Sequence, residues 1–276
     1  MMNSEARKIQ FTKMHGIGND YIYVDLDAFP IKDLTAFAVK HSDRHFGIGG
    51  DGVVTYNKEA DDLYRMRIFN TDGSEGLMCG NAIRCVAKLV YESGKLPQNP
   101  LRITTASGIK TLELTLDEEG KMALARVDMN PPVVGEDHFE VKIPEATYTG
   151  TKVSMGNPHF VTFIDTDPDE YPLDVLGPKV EKHELFPDRV NFEIVQVTGP
   201  HTLKMRVYER GSGLTLACGT GACASAVAAI HHGLVESPVT VKMPGGELKI
   251  EWTGDPQSSV FMTGPAAVAF TGEVEE

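Results

Sequence analysis

The spacing of hydrophobic and polar positions changes period several times along this chain, and each change marks an element. FTKMHGIGNDYIYVDL (11–26) alternates about a Gly-Asn step and predicts strand, turn, strand. YRMRIFN (64–70) alternates as a further strand, and DGSEGLM (72–78) reads as a loop. In CGNAIRCVAKLVYESGKL (79–96), Ile83, Val86, Ala87, Leu89 and Val90 recur at helical spacing, and Gly94 is the stop. LRITTASGIKTLELTL (101–116) returns to strands with a turn at Ser107-Gly108. Later the same succession comes again: LKMRVYE as strand, RGSGLTLA as loop, CGTGACASAVAAIHHG as helix, VTVKMPGGELKIEW as strands. A helix that is apolar nearly all round has to be buried. Strands wrapped about a central helix satisfy that, which predicts an α+β fold.

The recurrence has a fixed offset. Cys79-Gly80 and Cys218-Gly219 are 218 − 79 = 139 positions apart, and RIFN (67–70) falls on RVYE (206–209) at the same spacing. GNDYIYVD (18–25) falls near GNPHFVTFID (156–165), and SGIKTLEL (107–114) on GGELKIEW (245–252), at an offset of 138. Matches in one order at one spacing indicate an internal duplication. The expectation is two pseudo-symmetric domains, 1–128 and 129–264, each a mixed β-barrel around a central α-helix. MNPPVVGEDHF (129–139), rich in Pro and Gly, is the expected linker.

Composition narrows the function classes. With 276 residues, 41% hydrophobic and 24% charged, the chain reads as a soluble globular protein. A formal net charge of −13 argues against nucleic-acid and anionic-membrane partners, which need a basic face. The opening MMNSEARKIQF is polar and lacks the apolar core of a signal peptide, and no apolar run is long enough to span a bilayer. The expected location is therefore cytoplasmic, where thiols stay reduced. The acidic end GEVEE reads as solvated.

All four cysteines lie in MCGNAIRC (78–85) and ACGTGAC (217–223). Cys79 and Cys218 stand where a loop becomes a helix. There the unpaired N–H groups and the helix dipole favour a thiolate, so a lowered thiol pKa is expected at both. The same N–H groups can hold a carboxylate, with small residues letting a ligand approach. If the copies are related by a twofold, the two helix starts face one another across a cleft. That geometry suits one thiolate taking a proton from a carbon beside a carboxylate while the opposite thiol returns one to the other face. Cys85 and Cys223, inside the helices, read as core packing. The cysteine gaps do not suit zinc, and no C-x-x-C is present, so neither a metal site nor a thiol–disulfide oxidoreductase is expected. Air oxidation of a facing pair, reversed by reductant, is expected as a liability.

NTDGSEGLMCGNAIR (70–84) resembles the signature of the diaminopimelate epimerase family. ERGSGLTLACGTGACA (209–224) resembles that family's second catalytic loop, and HGIGNDYIYVD and GNPHFV are similar to its other segments. The resemblance implies a pyridoxal-free, metal-free, cofactor-independent epimerase. Its reaction interconverts LL- and meso-2,6-diaminoheptanedioate, in lysine and cell-wall precursor synthesis. It implies Cys79 and Cys218 as the acid/base thiols, with His159 and Glu209 beside them as tuning groups. It implies Gly80, Asn81, Gly219 and Thr220 on the reacting carboxylate, and Asn19, Asn70, Asn157, Asn191, Glu209 and Arg210 on the rest of the substrate. It also implies that AAVAFTG (266–272) crosses back, so that 265–276 joins residues 1–128, and it is compatible with a homodimer and with closure of the domains over the substrate. The family usually carries Gln where this chain has Gly52, the repeat mate of Asn191. The expectation is an asymmetric wall, with Asn191 reaching the ligand and water filling the other side.

Other features read more plainly. GIGGDG (47–52) spells a dinucleotide fingerprint, but a strand-like run follows it rather than a helix. His159 follows Pro158 in a loop, where a structural role is the ordinary reading; its repeat mate is Tyr21. Glu209 and Arg210 could form a plain surface pair. His231 and His232 precede Gly233 and suit a helix C-terminus. A proline or hydroxyproline racemase of the same fold, or an amino-acid-binding protein without turnover, are the competing readings.

Overall fold

The computed structural model describes residues 7–276; the polar lead-in read over residues 1–6 lies outside the described residues. The fold is α+β, and the chain divides into two compact units, Met1–Val127 with Gly264–Glu276, and Asp128–Thr263.

In the first unit the elements run β1 (Lys8–Gly16), β2 (Asn19–Asp25), α1 (Leu34–Ser42), β3 (Gly52–Ala60), β4 (Leu63–Asn70), β5 (Glu75–Gly76), α2 (Gly80–Glu92), β6 (Leu101–Thr105), β7 (Gly108–Leu116) and β8 (Met122–Asp128). The second unit has β9 (Val133–Val134), β10 (Phe139–Ile143), β11 (Ala146–Ser154), β12 (Pro158–Phe163), α3 (Leu173–Glu181), β13 (Asn191–Gly199), β14 (Thr202–Glu209), β15 (Gly213–Leu214), α4 (Gly219–His231), β16 (Val239–Met243), β17 (Gly246–Glu251) and β18 (Phe261–Gly264). The last strand, β19 (Ala267–Glu275), belongs to the first unit and pairs antiparallel with β1.

Strand order repeats. In the first unit β1–β2, β3–β4, β6–β7 and β7–β8 are antiparallel, while β2–β3 and β4–β6 are parallel. In the second, β11–β12, β13–β14, β16–β17 and β17–β18 are antiparallel, while β12–β13 and β14–β16 are parallel. The role of β19 beside β1 is taken in the second unit by β10 beside β11. The parallel steps require crossovers. α1 and α3 span the first crossover of each unit, and α2 and α4 the second.

The two crossover helices α2 and α4 are the buried ones. α2 lies against β1, β2 and β6, and α4 against β11, β12, β13, β14, β16 and β17. Ile83, Cys85, Val86, Ala87 and Val90 of α2 are wholly buried, as are Ala222, Cys223, Ala224, Ala226, Val227, Ala228 and Ala229 of α4. Cys85 and Cys223 are thus core residues. Each helix ends on a glycine with positive φ, Gly94 at 72° and Gly233 at 66°, whose N–H closes back on Tyr91 O and Ile230 O.

Three readings of the sequence need correction. α1 and α3 were not expected; each has nine residues and a short apolar face, too little for the periodicity to stand out. The stretch 129–139 is not a bare linker, since it holds β9, which pairs with β11, and the start of β10. His231 and His232 do not cap α4 with their side chains. His231 Nε2 lies 2.9 Å from Asp137 Oδ2 and His232 Nε2 lies 2.7 Å from Thr151 Oγ1, while the backbone N–H of His232 bonds Ala228 O.

Candidate active site

Each helix start is built on a cysteine. Cys79 is the N-cap of α2, with φ −135° and ψ 119°, and its sulfur lies 3.5 Å from the N–H of Ala82. Cys218 is the N-cap of α4, with φ −128° and ψ 110°, and its sulfur accepts the N–H of Gly221 at 3.3 Å. The sulfur in each case does the work an Asp or Ser oxygen does at other helices, satisfying a first-turn donor. All four cysteines are free thiols.

Around Cys79 the first unit gathers two of the asparagines read from the sequence. Asn19 Oδ1 lies 3.3 Å from Cys79 Sγ and 3.2 Å from Asn81 Nδ2, so it accepts from both. Asn19 is fixed by Asp51, whose Oδ2 takes its Nδ2–H at 2.7 Å. Asp51 is in turn bound to Arg44 at 2.8 Å, and Arg44 and the buried Lys13 converge on Asp20. Burial works against the charge of Asp20, but Arg44 and Lys13 outweigh it and hold its carboxyl below the usual range. Beneath the helix start lies Arg84, fully buried, donating to Gly80 O at 3.0 Å, Asn81 Oδ1 at 2.8 Å and Pro265 O at 3.1 Å.

Around Cys218 the second unit gathers a different set. Thr220 Oγ1 lies 3.6 Å from Cys218 Sγ and accepts from Asn157 Nδ2 at 3.2 Å. Asn157 Oδ1 lies 3.1 Å from His159 Nε2, and His159 Nδ1 lies 2.7 Å from Glu193 Oε1. Thus Asn157, His159 and Thr220 come together with the thiol. Glu209 adds its charge to the same place, and its Oε1 takes the hydroxyl of Thr215 at 2.5 Å.

The thiol of Cys218 departs from the expected lowered pKa. Burial pushes it well above the ordinary thiol range, and the charges of Glu209 and Glu193 push it the same way. Thr220 and the Gly221 N–H oppose this without winning. Desolvation of Cys218, a residue only 5% exposed, therefore outweighs the helix-start donors, which sequence alone could not weigh.

Other candidates lie apart from these contacts. Asn70 turns its amide to Ser74 Oγ at 3.0 Å. The amide of Asn191, 3% exposed, is engaged at both ends, donating to Pro158 O at 2.9 Å and accepting from Arg210 N at 2.9 Å. It therefore ties β12 to the turn after β14 rather than standing free for a ligand. The Arg210 guanidinium reaches Asp188 O at 3.3 Å. At Gly52, φ is 154°, and a Cβ there would overlap Phe69 O. The backbone at this position is thus shaped for glycine, and a glutamine would displace the β3–β4 pairing before it reached any ligand. GIGGDG runs through bends into Gly52, the first residue of β3, and opens no helix, so the phosphate-binding context is missing.

Sequence reasoning missed Glu193, Arg84 and the Lys13–Asp20–Arg44–Asp51 group. A signal existed for the first two. Glu193 interrupts an apolar strand whose repeat mate, at 193 − 139 = 54, is Val54, and Arg84 sits on the buried face of an apolar helix. Among the described residues no three His, Cys, Asp or Glu side chains cluster so as to hold a metal ion, and no helix is long and apolar enough to cross a membrane.

A protein of Acetivibrio thermocellus named diaminopimelate epimerase is 48% identical over 279 aligned positions, covering 97% of this chain and 99% of its own. By fold, the chain is similar to a PhzF-family phenazine biosynthesis protein of Bacillus anthracis, with a TM-score of 0.78, 17% identity and 98% and 100% of the two chains covered. It is also similar to a hydroxyproline epimerase of Agrobacterium vitis, with a TM-score of 0.69, 15% identity and 97% and 91% covered. The sequence profile of diaminopimelate epimerase matches residues 11–134 and 151–269. With its helix-capping cysteines in both halves and this match along nearly its whole length, the chain belongs to the diaminopimelate epimerase family.

Proposed function

We propose that this chain interconverts LL- and meso-2,6-diaminoheptanedioate, with Cys79 and Cys218 as the two acid/base thiols. The observation that carries the reading is that each sulfur caps its own buried helix at positions 139 apart, so each half supplies one thiol and one set of first-turn N–H groups. The family membership supplies the substrate.

In the proposed reaction one sulfur, as thiolate, takes the proton from the substrate's α-carbon. The bonding pair moves into the adjoining carboxylate, whose growing charge is met by the N–H groups of Gly80, Asn81, Gly219 and Thr220. The other sulfur, as thiol, gives its proton to the opposite face, and the stereocentre inverts. The proton lost by the substrate stays on the first sulfur and the proton it gains comes from the second, so the two sulfurs exchange thiolate and thiol roles with each turnover. Burial and the carboxylates of Glu209 and Glu193 make Cys218 a strong proton holder, which suits it to enter as the acid.

Asn19 and Asn157 are proposed as the polar walls beside each thiol, with His159 and Glu209 tuning Cys218. Asn70, Asn191 and Arg210 are kept as substrate contacts only through rearrangement of their present bonds. The reaction is placed in the cytoplasm, on a small molecule, with no nucleic acid or membrane as partner and with a homodimer as the assembly. The likeness to the hydroxyproline epimerase, at 15% identity, speaks for fold alone, so proline or hydroxyproline is the competing substrate. Assaying both substrates in deuterated water tests this. Deuterium entering the α-carbon of diaminopimelate, and not of proline, is expected; the reverse would replace the reading, and exchange into neither would make the chain a binder.

A further inference from the structure

Glu193 belongs to β13, in NFEIV, where every residue is buried. Its side chain is wholly buried with that of His159. Oε1 meets His159 Nδ1 at 2.7 Å, and Oε2 meets no hydrogen-bond partner among the described residues. The first unit has no counterpart: the repeat mates are Tyr21 for His159 (159 − 138 = 21) and Val54 for Glu193 (193 − 139 = 54). The helix start is fitted to the difference. A Cβ at Gly221 would lie 2.8 Å from Glu193 Oε1, so the carboxyl fills the space that the methyl of Ala82 (221 − 139 = 82) would need in the other copy.

The hydrogen bonds fix a proton count. Asn157 Oδ1 can only accept, so His159 Nε2, 3.1 Å away, carries a proton. Nδ1 then either donates to the Glu193 carboxylate or accepts from its acid form. Both cases place one further proton between Nδ1 and Oε1, and both leave the pair with no net charge. From Nε2 the donors run one way. Asn157 Nδ2 donates to Thr220 Oγ1 at 3.2 Å, which leaves the Thr220 hydroxyl proton for Cys218 Sγ at 3.6 Å.

We propose that Glu193 is a positioning residue: with His159 it holds one proton as a neutral buried dyad and so sets the direction of the His159–Asn157–Thr220 chain that ends on Cys218. Burial raises the proton affinity of Glu193 while His159 opposes it, as a shared proton requires. A bare carboxylate there would be a second negative charge beside Glu209, which faces the same sulfur from β14. The dyad offsets that charge with the proton it holds, so that Glu193 pushes on the thiol less than a bare carboxylate would, while keeping the donors aimed at the thiol.

The test uses resting protein without substrate. In 15N-histidine-labelled enzyme, NMR should show a protonated Nε2 on His159 together with a far-downfield proton in the His159–Glu193 bond. Glu193→Val should lose the second signal. The kinetic arm rests on the proposed epimerase activity. Glu193→Val should lower kcat about 10- to 100-fold, the worth of one hydrogen bond to a charged partner, with KM unchanged. Glu193→Gln, whose amide can donate to Nδ1 as the acid proton does, should recover most of that loss. An unprotonated Nε2 in the wild type, or equal losses in the Gln and Val variants, would overturn the proposal. The NMR arm needs no turnover, so an intact dyad in a protein inactive on diaminopimelate would tell against the epimerase reading alone.

Discussion

The sulfur of Cys218 accepts the Gly221 N–H at 3.3 Å, and yet its thiol holds its proton more tightly than an ordinary cysteine because burial and two carboxylates outweigh that donor. A helix start lowers a thiol's proton affinity and burial raises it, and at Cys218 burial is the larger effect.

Removing one of those carboxylates is expected to show the balance. In a Cys79→Ser background, the pH dependence of Cys218 alkylation by iodoacetamide should have its midpoint above the usual thiol range of about 8.5. Glu209→Gln removes a negative charge facing the sulfur and should move that midpoint down. A midpoint at or below the usual range, or no movement on substitution, contradicts the electrostatic account.

Cys85 gives a stability prediction. Burial pushes its thiol up to about 11, so the folded chain keeps a proton that the unfolded chain releases earlier. Its contribution is complete below the unfolded thiol's pKa and is lost as pH rises toward 11. At pH ~10.5 the loss should be about 2 kcal/mol relative to neutral pH, read from urea midpoints. Cys85→Ala should flatten that dependence, and an unchanged slope would show that Cys85 does not carry it.

Arg84 holds the carbonyl of Gly80, the amide of Asn81 and the carbonyl of Pro265 at once. Arg84→Met takes this buried donor from Asn81 Oδ1 and Pro265 O, and should cost about 3 kcal/mol or more of unfolding free energy. Arg84→Lys should recover little, because a point charge cannot span the three directions. Full stability in Arg84→Met would mean that the helix start is held by other means.

At Gly52 the expected outcome is a loss. Gly52→Gln places a Cβ against Phe69 O in a backbone conformation that side chains rarely adopt, so about 2 kcal/mol of destabilisation should appear in denaturant melts. A variant as stable as the wild type would show that β3 relaxes there and would reopen the position as a ligand contact.

The duplication was legible because spacing survives where residue identity does not. β3 and β13, β4 and β14, and α2 and α4 begin at offsets of 139: 52 and 191, 63 and 202, 80 and 219. The cysteine caps were legible for a related reason, since a Cys-Gly step before an apolar helical run has one natural place. The sign of the Cys218 shift was not, because it depends on Glu193 and Glu209, which the fold brings in from β13 and β14. The brace behind Asn19 was hidden likewise, as Asp51 and Arg44 come from the loop beyond α1. The Gly52 position misled in the other direction. Its missing side chain looked like a lost contact, whereas the strand pairing with Asn70 leaves no room for one.

The most direct test of the two-thiol account is solvent deuterium exchange at the α-carbon of LL-diaminoheptanedioate, followed by mass spectrometry beside the appearance of the meso form. Wild-type protein should incorporate deuterium as it epimerises. Cys79→Ser and Cys218→Ser should each fall at least about 100-fold in epimerisation, since a hydroxyl does not ionise near neutral pH. Either single variant epimerising at the wild-type rate would contradict the account.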